Sequence, residues 1–244
     1  MKKVIACVYI TLSIVNAKPY LGGQVGISLL NNAILVKGND YINNKAYPIS
    51  KEFFFKTDAL IVGIIGGYSF EKSSVFEPFI EVDYSYSGSK KTKSNLDYYE
   101  DAADSGNDLR NERISASLNH SVGFMLGINV SLTENLSGIL GLRFVMNQVE
   151  IKGAHVTGTT GLIRSDNSKN EKAFVFGVEP TIGAKYDFTN NISGRITVGY
   201  HVGQKKRIVS NYISQPILTN DGVNASVSVK PRGVVIKTAL IWNF

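Results

Sequence analysis

The sequence contains few residues that could carry out catalysis, and their arrangement argues against it. Of the three histidines, His155 lies in a predicted loop without an acidic residue at ligand spacing, and His201 points inward from a predicted strand. The third belongs to the triplet Asn119-His120-Ser121, and a histidine that reaches a serine hydroxyl can activate it as a nucleophile. Neighbouring residues of a strand point to opposite faces. We therefore expect no catalytic pair here, and no enzyme activity, cofactor or metal site.

A second set of reactive side chains consists of charged residues that recur at alternate positions. Four acids and four bases fall opposite the apolar face of their segments: Glu77, Glu81, Asp83, Glu179, Arg143, Lys185, Arg195 and Lys237. Charges that are removed from water must be paired to be tolerated. The equal numbers predict an ionic network that plugs the interior of a barrel, and a gated narrow ion path is the alternative use of the same residues.

The segment that carries the histidine triplet, residues 114–132, shows the clearest alternation in the chain. Its even positions are apolar apart from His120, and its odd positions are small or polar apart from Met125. A period of two is that of a strand with one apolar face. The run is far longer than the ~5–6 residues of an ordinary strand and long enough for the ~9–11 residues of a tilted membrane strand. It therefore predicts a strand that crosses a bilayer.

Five further segments alternate with the same parity, and none carries an acid, a lysine or an arginine on its apolar face. They are 76–86, 136–147, 174–186, 192–201 and 234–244. A charge on that face would cost ~2–4 kcal/mol at the bilayer midplane, so its absence is what lipid contact requires. Segments 20–30 and 59–68 are less regular, and the facing of 59–68 stays open. Together the segments predict an all-β fold, an eight-stranded antiparallel transmembrane up-and-down β-barrel.

The connections between these segments alternate strictly between short and long. The short ones are 71–74, 133–135 and 187–191, and the long polar ones are 31–56, 88–112, 150–171 and 203–224. Outer-membrane barrels have tight periplasmic turns and long external loops, whereas a soluble β-sandwich has no reason to sort its loops. The pattern predicts a bacterial outer-membrane location, with both termini periplasmic, the long loops at the cell surface, and lipid and lipopolysaccharide around the wall.

Aromatic residues are expected to form girdles at the two membrane surfaces. The periplasmic girdle would contain Tyr68, Phe76, Tyr186, Trp242 and Phe244. The outer girdle would contain Tyr84, Tyr86, Phe174 and Tyr200.

Residues 1–17 are predicted to be a cleaved signal peptide, which leaves residues 18–244 as the barrel domain. Two lysines precede an apolar run from Val4 to Val15, and Ala17 ends a compact cleavage site of the secretory type. The run is shorter than the ~20 residues that a membrane helix needs.

Cysteine content and charge exclude further classes of function. Cleavage after Ala17 would remove Cys7, the only cysteine, so we expect neither a disulfide nor thiol chemistry in the mature chain. The net charge of +6 is mild and is spread over the predicted loops. Nucleic-acid binding is therefore not expected.

The eight alternating segments, the stretch GVEPTIGAKYD at 177–187 and the terminal ALIWNF at 239–244 resemble one superfamily. They are similar to the OmpA-like and opacity-protein superfamily of eight-stranded outer-membrane barrels. In that superfamily the barrel-assembly machinery reads a terminal aromatic residue on an alternating last strand. The resemblance assigns this role to Phe244, with Trp242 and Leu240 behind it.

Two prolines depart from the pattern of that superfamily. Pro180 falls within a predicted strand, where it removes a hydrogen-bond donor from the ladder, so we expect a local bulge there. Pro231 fits only if the last strand begins after it or extends above the membrane.

Exposed aromatic and basic residues in the long connections are the candidate ligand contacts. They are Phe53, Phe54, Phe55, Tyr98, Tyr99, Lys205, Lys206 and Arg207. Such residues could contact a host surface protein or an acidic glycan. The alternative is that Phe53–Phe55 and Lys205–Arg207 extend strands above the bilayer.

These observations favour a structural or adhesive surface barrel with its specificity in four external loops. The alternatives are a narrow gated ion channel and a lipid A-modifying barrel enzyme. The second would resemble outer-membrane acyltransferases and deacylases, which need a histidine, a serine and a carboxylate together at the membrane face. A soluble β-sandwich secreted to the periplasm is a third alternative.

Overall fold

The structure is a computed structural model, and it describes residues 17–42, 45–89, 92–97, 109–158, 169–214 and 222–244. The predicted signal peptide up to its last residue, and Tyr98 and Tyr99, lie outside these ranges. Among the residues described, no helix is long and apolar enough to span a bilayer.

The described part of the chain forms ten strand segments. They are β1 (Lys18–Ile42), β2 (Lys45–Ser69), β3 (Phe76–Ser89), β4 (Thr92–Asp97), β5 (Leu109–Ser131), β6 (Leu136–Gly158), β7 (Lys169–Asp187), β8 (Ile192–Gly203), β9 (Lys206–Ser214) and β10 (Gly222–Asn243). All pairs are antiparallel, and β10 pairs with β1, which closes the sheet. The short β4 and β9 pair with β5 and β10 beyond the ends of β3 and β8. The chain is therefore a closed eight-stranded antiparallel barrel. Segments β3 and β4 together occupy one strand position of this barrel, and β8 and β9 together occupy another.

The register of the strands fixes the tilt and the width of the barrel. The hydrogen-bonded partners of Asn31, followed through β10, β8, β7, β6, β5, β3 and β2, lead back to β1 at Leu21. One circuit thus shifts the register by ten residues. With eight strands of ordinary rise and spacing, this shift corresponds to a tilt of about 40° and a radius of about 8 Å. Such an interior is just wide enough for side chains to fill it.

The wall is apolar outside and mainly polar inside. On β8, Ile196, Val198 and Tyr200 are exposed, whereas Thr197 and His201 between them are buried. The predicted girdle residues are likewise exposed on the outer surface. The strand at 59–68 follows the same rule, because Leu60, Val62 and Ile64 face outward while Ile61 and Ile65 fill the interior.

Small apolar clusters close the interior at the end of the barrel where β1 begins and β10 ends. Phe79, Met125 and Ile139 form one of them, and Tyr20, Ile65 and Ile241 form the other.

The predicted bounds of the long connections are wrong, since strands continue through much of them. β1 runs to Ile42 and β2 begins at Lys45, so most of the predicted loop 31–56 is a hairpin. Its inward side is polar there: Asn32 Nδ2 donates to Thr57 Oγ1 over 2.7 Å. Backbone pairing needs no apolar outer face. The loss of apolar alternation therefore marked the end of the apolar belt and not the end of the strands.

The alternation of β5 is interrupted by a bulge at Asn119 and His120. Leu118 pairs with Val149, but Ser121 pairs with Asn147, so β5 contains one residue more than β6 between these pairs. A bulge reverses the facing on one side of it. The expected outward facing of Leu118 is therefore wrong: its side chain is buried in the barrel interior.

Pro180 does not cause the expected bulge, and Pro231 fits because β10 begins before it, at Gly222, and extends past the end of β8. No bulge occurs at Pro180, because Val178 with Val202 and Thr181 with Gly199 lie in one register; the ladder between β7 and β8 skips the two pairs between them. Pro231 lies inside β10 and pairs with Asn32 of β1. On its other side, β8 has ended at Gly203 and β9 begins at Lys206.

Candidate functional site

The middle of the interior is occupied by a layer of fully buried ion pairs. Arg143 from β6 binds Asp83 on β3 through two hydrogen bonds of 2.7 Å, from Nε to Oδ2 and from Nη2 to Oδ1. Its Nη1 donates to Glu179 Oε2 on β7 over 3.0 Å. Lys237 Nζ on β10 lies 3.6 Å from Asp83 Oδ1. Two carboxylates and two cations thus neutralise one another across the barrel, and the fork of the guanidinium fixes their geometry.

A second buried pair lies below this layer, towards the end of the barrel where β1 begins and β10 ends. Arg195 donates from Nη1 to Glu81 Oε2 over 2.7 Å and from Nη2 to Glu81 Oε1 over 2.8 Å. The hydroxyl of Tyr20 also donates to Glu81 Oε2, over 3.0 Å. The carboxylate is therefore held by β8 and β1 together.

The ion pairs at the mouth of this same end of the barrel are looser. Lys185 Nζ lies 3.2 Å from Asp187 Oδ1 and 4.0 Å from Glu77 Oε2. Asn129 Nδ2 donates to Glu77 Oε2 over 3.0 Å. The side chains of Glu77 and Asp187 are 23% and 34% exposed, so water competes for these contacts.

An apolar layer covers the ionic layers on the side of the β1–β2 hairpin. His201 lies below it, with Nε2 3.3 Å from Asn147 Nδ2 and Nδ1 3.9 Å from Glu179 Oε2. The layer consists of the buried apolar side chains Leu30, Leu118, Val149, Val175 and Val229, and the hydrogen-bonded Asn32 and Thr57 are buried beside them. The bulge in β5 supplies one of these residues.

Two small cavities lie in the described part of this interior. One of about 20 Å³ lies at the mouth where β1 begins and β10 ends, between Tyr20, Phe79 and Lys185. Another of about 20 Å³ lies beside Arg143 and His201. Each has room for about one water molecule. The arrangement can hold the wall together, and in this conformation the arginine layers stand between the two cavities.

Several members of the network are missing from the sequence-based set of eight. Gln24 Nε2 donates to Ser85 Oγ over 2.9 Å and to Asp83 Oδ1 over 3.3 Å; further members are Tyr20, Asn129, Asn147, Asp187 and His201. All are inward positions of their strands. They could have been predicted if every hydrogen-bonding side chain at the inward-facing positions, and not only the charged ones, had been included.

The histidine triplet lies on the bulge and is divided between the two faces. Ser121 is buried inside the barrel, whereas His120 faces outward. The hydroxyl of Tyr84 is 2.8 Å from His120 Nδ1, and the ring centroids of Tyr86 and His120 are 5.3 Å apart. In the described residues no group of three potential ligands is placed to hold a metal ion.

The predicted contact residues are distributed over strands as well as connections. Phe53, Phe54 and Phe55 belong to β2, so their assignment to a loop is wrong, and Phe54 is 73% exposed. Lys205 lies in the β8–β9 connection, and Lys206 and Arg207 begin β9. All three basic residues are exposed.

The predicted assembly signal lies on the strand that closes the barrel. The side chains of Leu240, Trp242 and Phe244 are all exposed on the outer face. The amide of Phe244 donates to Pro19 O over 3.0 Å at the seam between β10 and β1.

Comparison with known proteins finds similar structures but no similar sequence. No family model matches the chain, and no curated protein does. Neisserial surface protein A is 10% identical at a TM-score of 0.37, over 89% of this chain and 97% of that one. The attachment invasion locus protein Ail of Yersinia pestis is 12% identical at a TM-score of 0.31, over 88% of this chain and 98% of that one. The outer-membrane protease OmpT of Escherichia coli is 11% identical at a TM-score of 0.41, over 92% of this chain and 97% of that one. Roles for individual residues therefore have to come from the geometry of this chain.

Proposed function

We propose that this chain is an outer-membrane barrel with a structural or adhesive role, carried out by the segments that project beyond the lipid. The observation that carries the proposal is that the wall of the barrel is apolar on the outside and charged on the inside. Apolar side chains all around the outer surface, such as Leu60, Ile182 and Leu240, are more than half exposed, while the ion pairs are buried in the interior. A soluble protein rarely exposes apolar patches larger than a few hundred Å², and a closed barrel leaves no unpaired edge in lipid.

The projecting β1–β2 hairpin supports a role in surface contact. It continues beyond the last apolar outward residues, and Phe54 is exposed there between exposed Glu52 and Lys56. An exposed aromatic residue flanked by charges is typical of a protein-binding surface. Lys206 and Arg207 supply positive charge at the start of β9, which suits an acidic glycan. The partner we propose is a host surface protein or glycan.

Binding of the refolded protein to host cells tests this role. Replacement of residues 33–54 by Asn-Gly joins the paired Asn32 and Phe55 with a tight hairpin turn and removes the projection. We expect this variant and Phe54→Ser to bind cells less well, while Phe188→Ser, at an exposed aromatic of the opposite end, binds like wild type. Unchanged binding by the shortened barrel, with heat-modifiable gel mobility retained, would contradict a role for the hairpin.

A narrow ion path is the second candidate, because ion pairs follow one another in the interior from the mouth at Lys185 to the middle layer at Arg143. The buried bidentate pairs and the apolar layer above them favour a structural plug instead. We expect no current steps from the wild-type protein in planar bilayers. Regular single-channel steps that change with Arg143→Ala would favour the channel.

A lipid A-modifying activity is the alternative that we do not propose. His120 is hydrogen-bonded to Tyr84, and Ser121 points into the interior. We expect lipid A acylation in cells to be the same with wild type, His120→Ala and His201→Ala. A change that depends on either histidine would overturn this view.

A further inference from the structure

A groove crosses the outer surface of the barrel obliquely and has a volume of about 710 Å³. Pockets of about 300–1,000 Å³ are typical of sites that hold small molecules. The groove is lined by two neighbouring rows of outward side chains whose members are ladder partners on successive strands. These are Val82, Phe124, Phe144, Val178 and Val202, and beside them Val122, Met146 and Phe176. Its walls are therefore apolar over their length.

The groove has a direction relative to the membrane, which follows from the register of the barrel. Its rows run along the hydrogen-bonding direction from β3 to β8 and on to β10. One circuit of the barrel shifts the strand register by ten residues. These rows therefore rise along the barrel axis by roughly 15 Å from β3 to β10. The β3 end thus lies deep in the apolar belt, and the β8 end lies near the outer girdle residue Tyr200.

Positive charge is concentrated at the upper end only. Lys205 and Lys230 line the groove there, and Arg232 continues the row of Val202, its ladder partner. Lys205 and Arg232 are exposed, and within the described part of the chain none of the three makes an ion pair. No acidic side chain lines the groove. An elongated apolar surface that ends in unneutralised cations is complementary to a phosphorylated lipid.

We propose that this groove binds the lipid A portion of lipopolysaccharide, with an acyl chain along the apolar rows and a phosphate at Lys205 and Lys230. Arg232 lies close enough in the row to assist a second phosphate group. The site belongs to the wall and not to the projecting segments, so it goes beyond the proposed surface role, and it rests only on the proposed outer-membrane location. The charge at one end distinguishes this face from the rest of the lipid-exposed belt.

Native mass spectrometry of the purified barrel, titrated with lipid A, tests the site with two matched pairs of variants. Lys205→Gln with Lys230→Gln removes two positive charges at the groove, and Lys18→Gln with Lys72→Gln removes two exposed ones at the periplasmic end. Val178→Trp fills the groove, whereas Ile182→Trp adds the same bulk to an exposed position of the same strand outside it. Each basic side chain near an anionic lipid surface contributes about fivefold to binding. We therefore expect the groove double variant to bind lipid A roughly tenfold to thirtyfold more weakly.

The expected pattern also includes weaker binding by Val178→Trp and near-wild-type binding by both controls. Wild type should bind dephosphorylated lipid A as weakly as the groove variant binds lipid A, a comparison that requires no variant to fold. Equal binding of phosphorylated and dephosphorylated lipid A overturns the proposal. So does equal retention of phosphatidylglycerol, which would indicate a general anionic lipid shell, and so does a second copy of the chain in place of lipid.

Discussion

Two groups of ion pairs inside the same barrel differ in how strongly they should hold the wall. In the middle layer, Arg143, Asp83 and Glu179 are almost fully buried and joined by three hydrogen bonds of 2.7–3.0 Å. At the mouth where β1 begins and β10 ends, Lys185 meets partly exposed acids over 3.2 and 4.0 Å. Exposed pairs contribute little to stability, whereas a broken buried pair leaves a charge that nothing neutralises. The depth of a pair in the barrel should therefore decide its effect.

The largest effect is expected from Arg143→Met. The substitution leaves Asp83 and Glu179 buried with only Lys237 to neutralise them, and loss of one partner of a buried pair costs about 3–5 kcal/mol. We expect the free energy of unfolding, measured by denaturant titration in lipid vesicles, to fall by that amount. Arg232→Met, at an exposed cation of the outer face, is the control and should change it by less than about 1 kcal/mol.

A double variant separates the lost pair from the lost volume. Arg143→Met with Asp83→Asn leaves Glu179 and Lys237, one charge of each sign, in the layer. The double variant should be less destabilised than the sum of the two single variants, since both remove the same interaction. Additive effects would show that the pair is not coupled and would break the distinction between the two regions.

Arg195→Gln should have the next largest effect, about 2–4 kcal/mol. It leaves Glu81 without its bidentate partner, but only one acid is orphaned and the Tyr20 hydroxyl still donates to it. Tyr20→Phe is the matched test of that hydroxyl and should cost about 1 kcal/mol. A larger loss for Arg195→Gln than for Arg143→Met would mean that depth does not order the layers.

Most of the fold could be predicted from the sequence because lipid imposes a period of two on one face. Strands β3, β5, β6, β7, β8 and β10 were predicted where they cross the apolar belt, and the eight-stranded antiparallel barrel is confirmed. The predictions failed where that constraint ends. β1 and β2 continue into water as a hairpin of polar alternation, and no apolar face signals their length.

The candidate site was predicted in composition but not in arrangement. Inward parity placed Arg143 and Asp83 in the interior, yet which acid meets which base depends on the ten-residue shift of the register, which no single strand encodes. The bulge at Asn119 and His120 could not be predicted from the pattern. Leu118 is an apolar residue at an even position, like the outward-facing residues that follow it, yet its side chain points into the interior. The ascending groove depends on the same shift and was not anticipated.

Gly123→Ala tests how tightly the middle layer is packed. A Cβ at this inward position would overlap the Asp83 carboxylate and the Arg143 guanidinium, so the pair must move or the wall must bend. We expect a loss of about 1–3 kcal/mol in the free energy of unfolding, as for other overpacked interiors. Gly23→Ala, where a Cβ meets no atom within 4 Å, is the control and should be near neutral. Equal effects of the two substitutions would show that the layer is loose.

The smallest effect is expected from Lys185→Gln, which removes the cation of the mouth. Asp187 and Glu77 are both partly exposed, and Glu77 keeps the hydrogen bond from Asn129, so water and this amide can satisfy them. We expect a loss below about 1 kcal/mol, and a loss that shrinks further at high salt because exposed charges are screened. The effect of Arg143→Met should persist in the same salt, since ions do not reach its layer. A salt-insensitive loss at Lys185 as large as that at Arg143 would show that the mouth is as closed as the middle of the barrel.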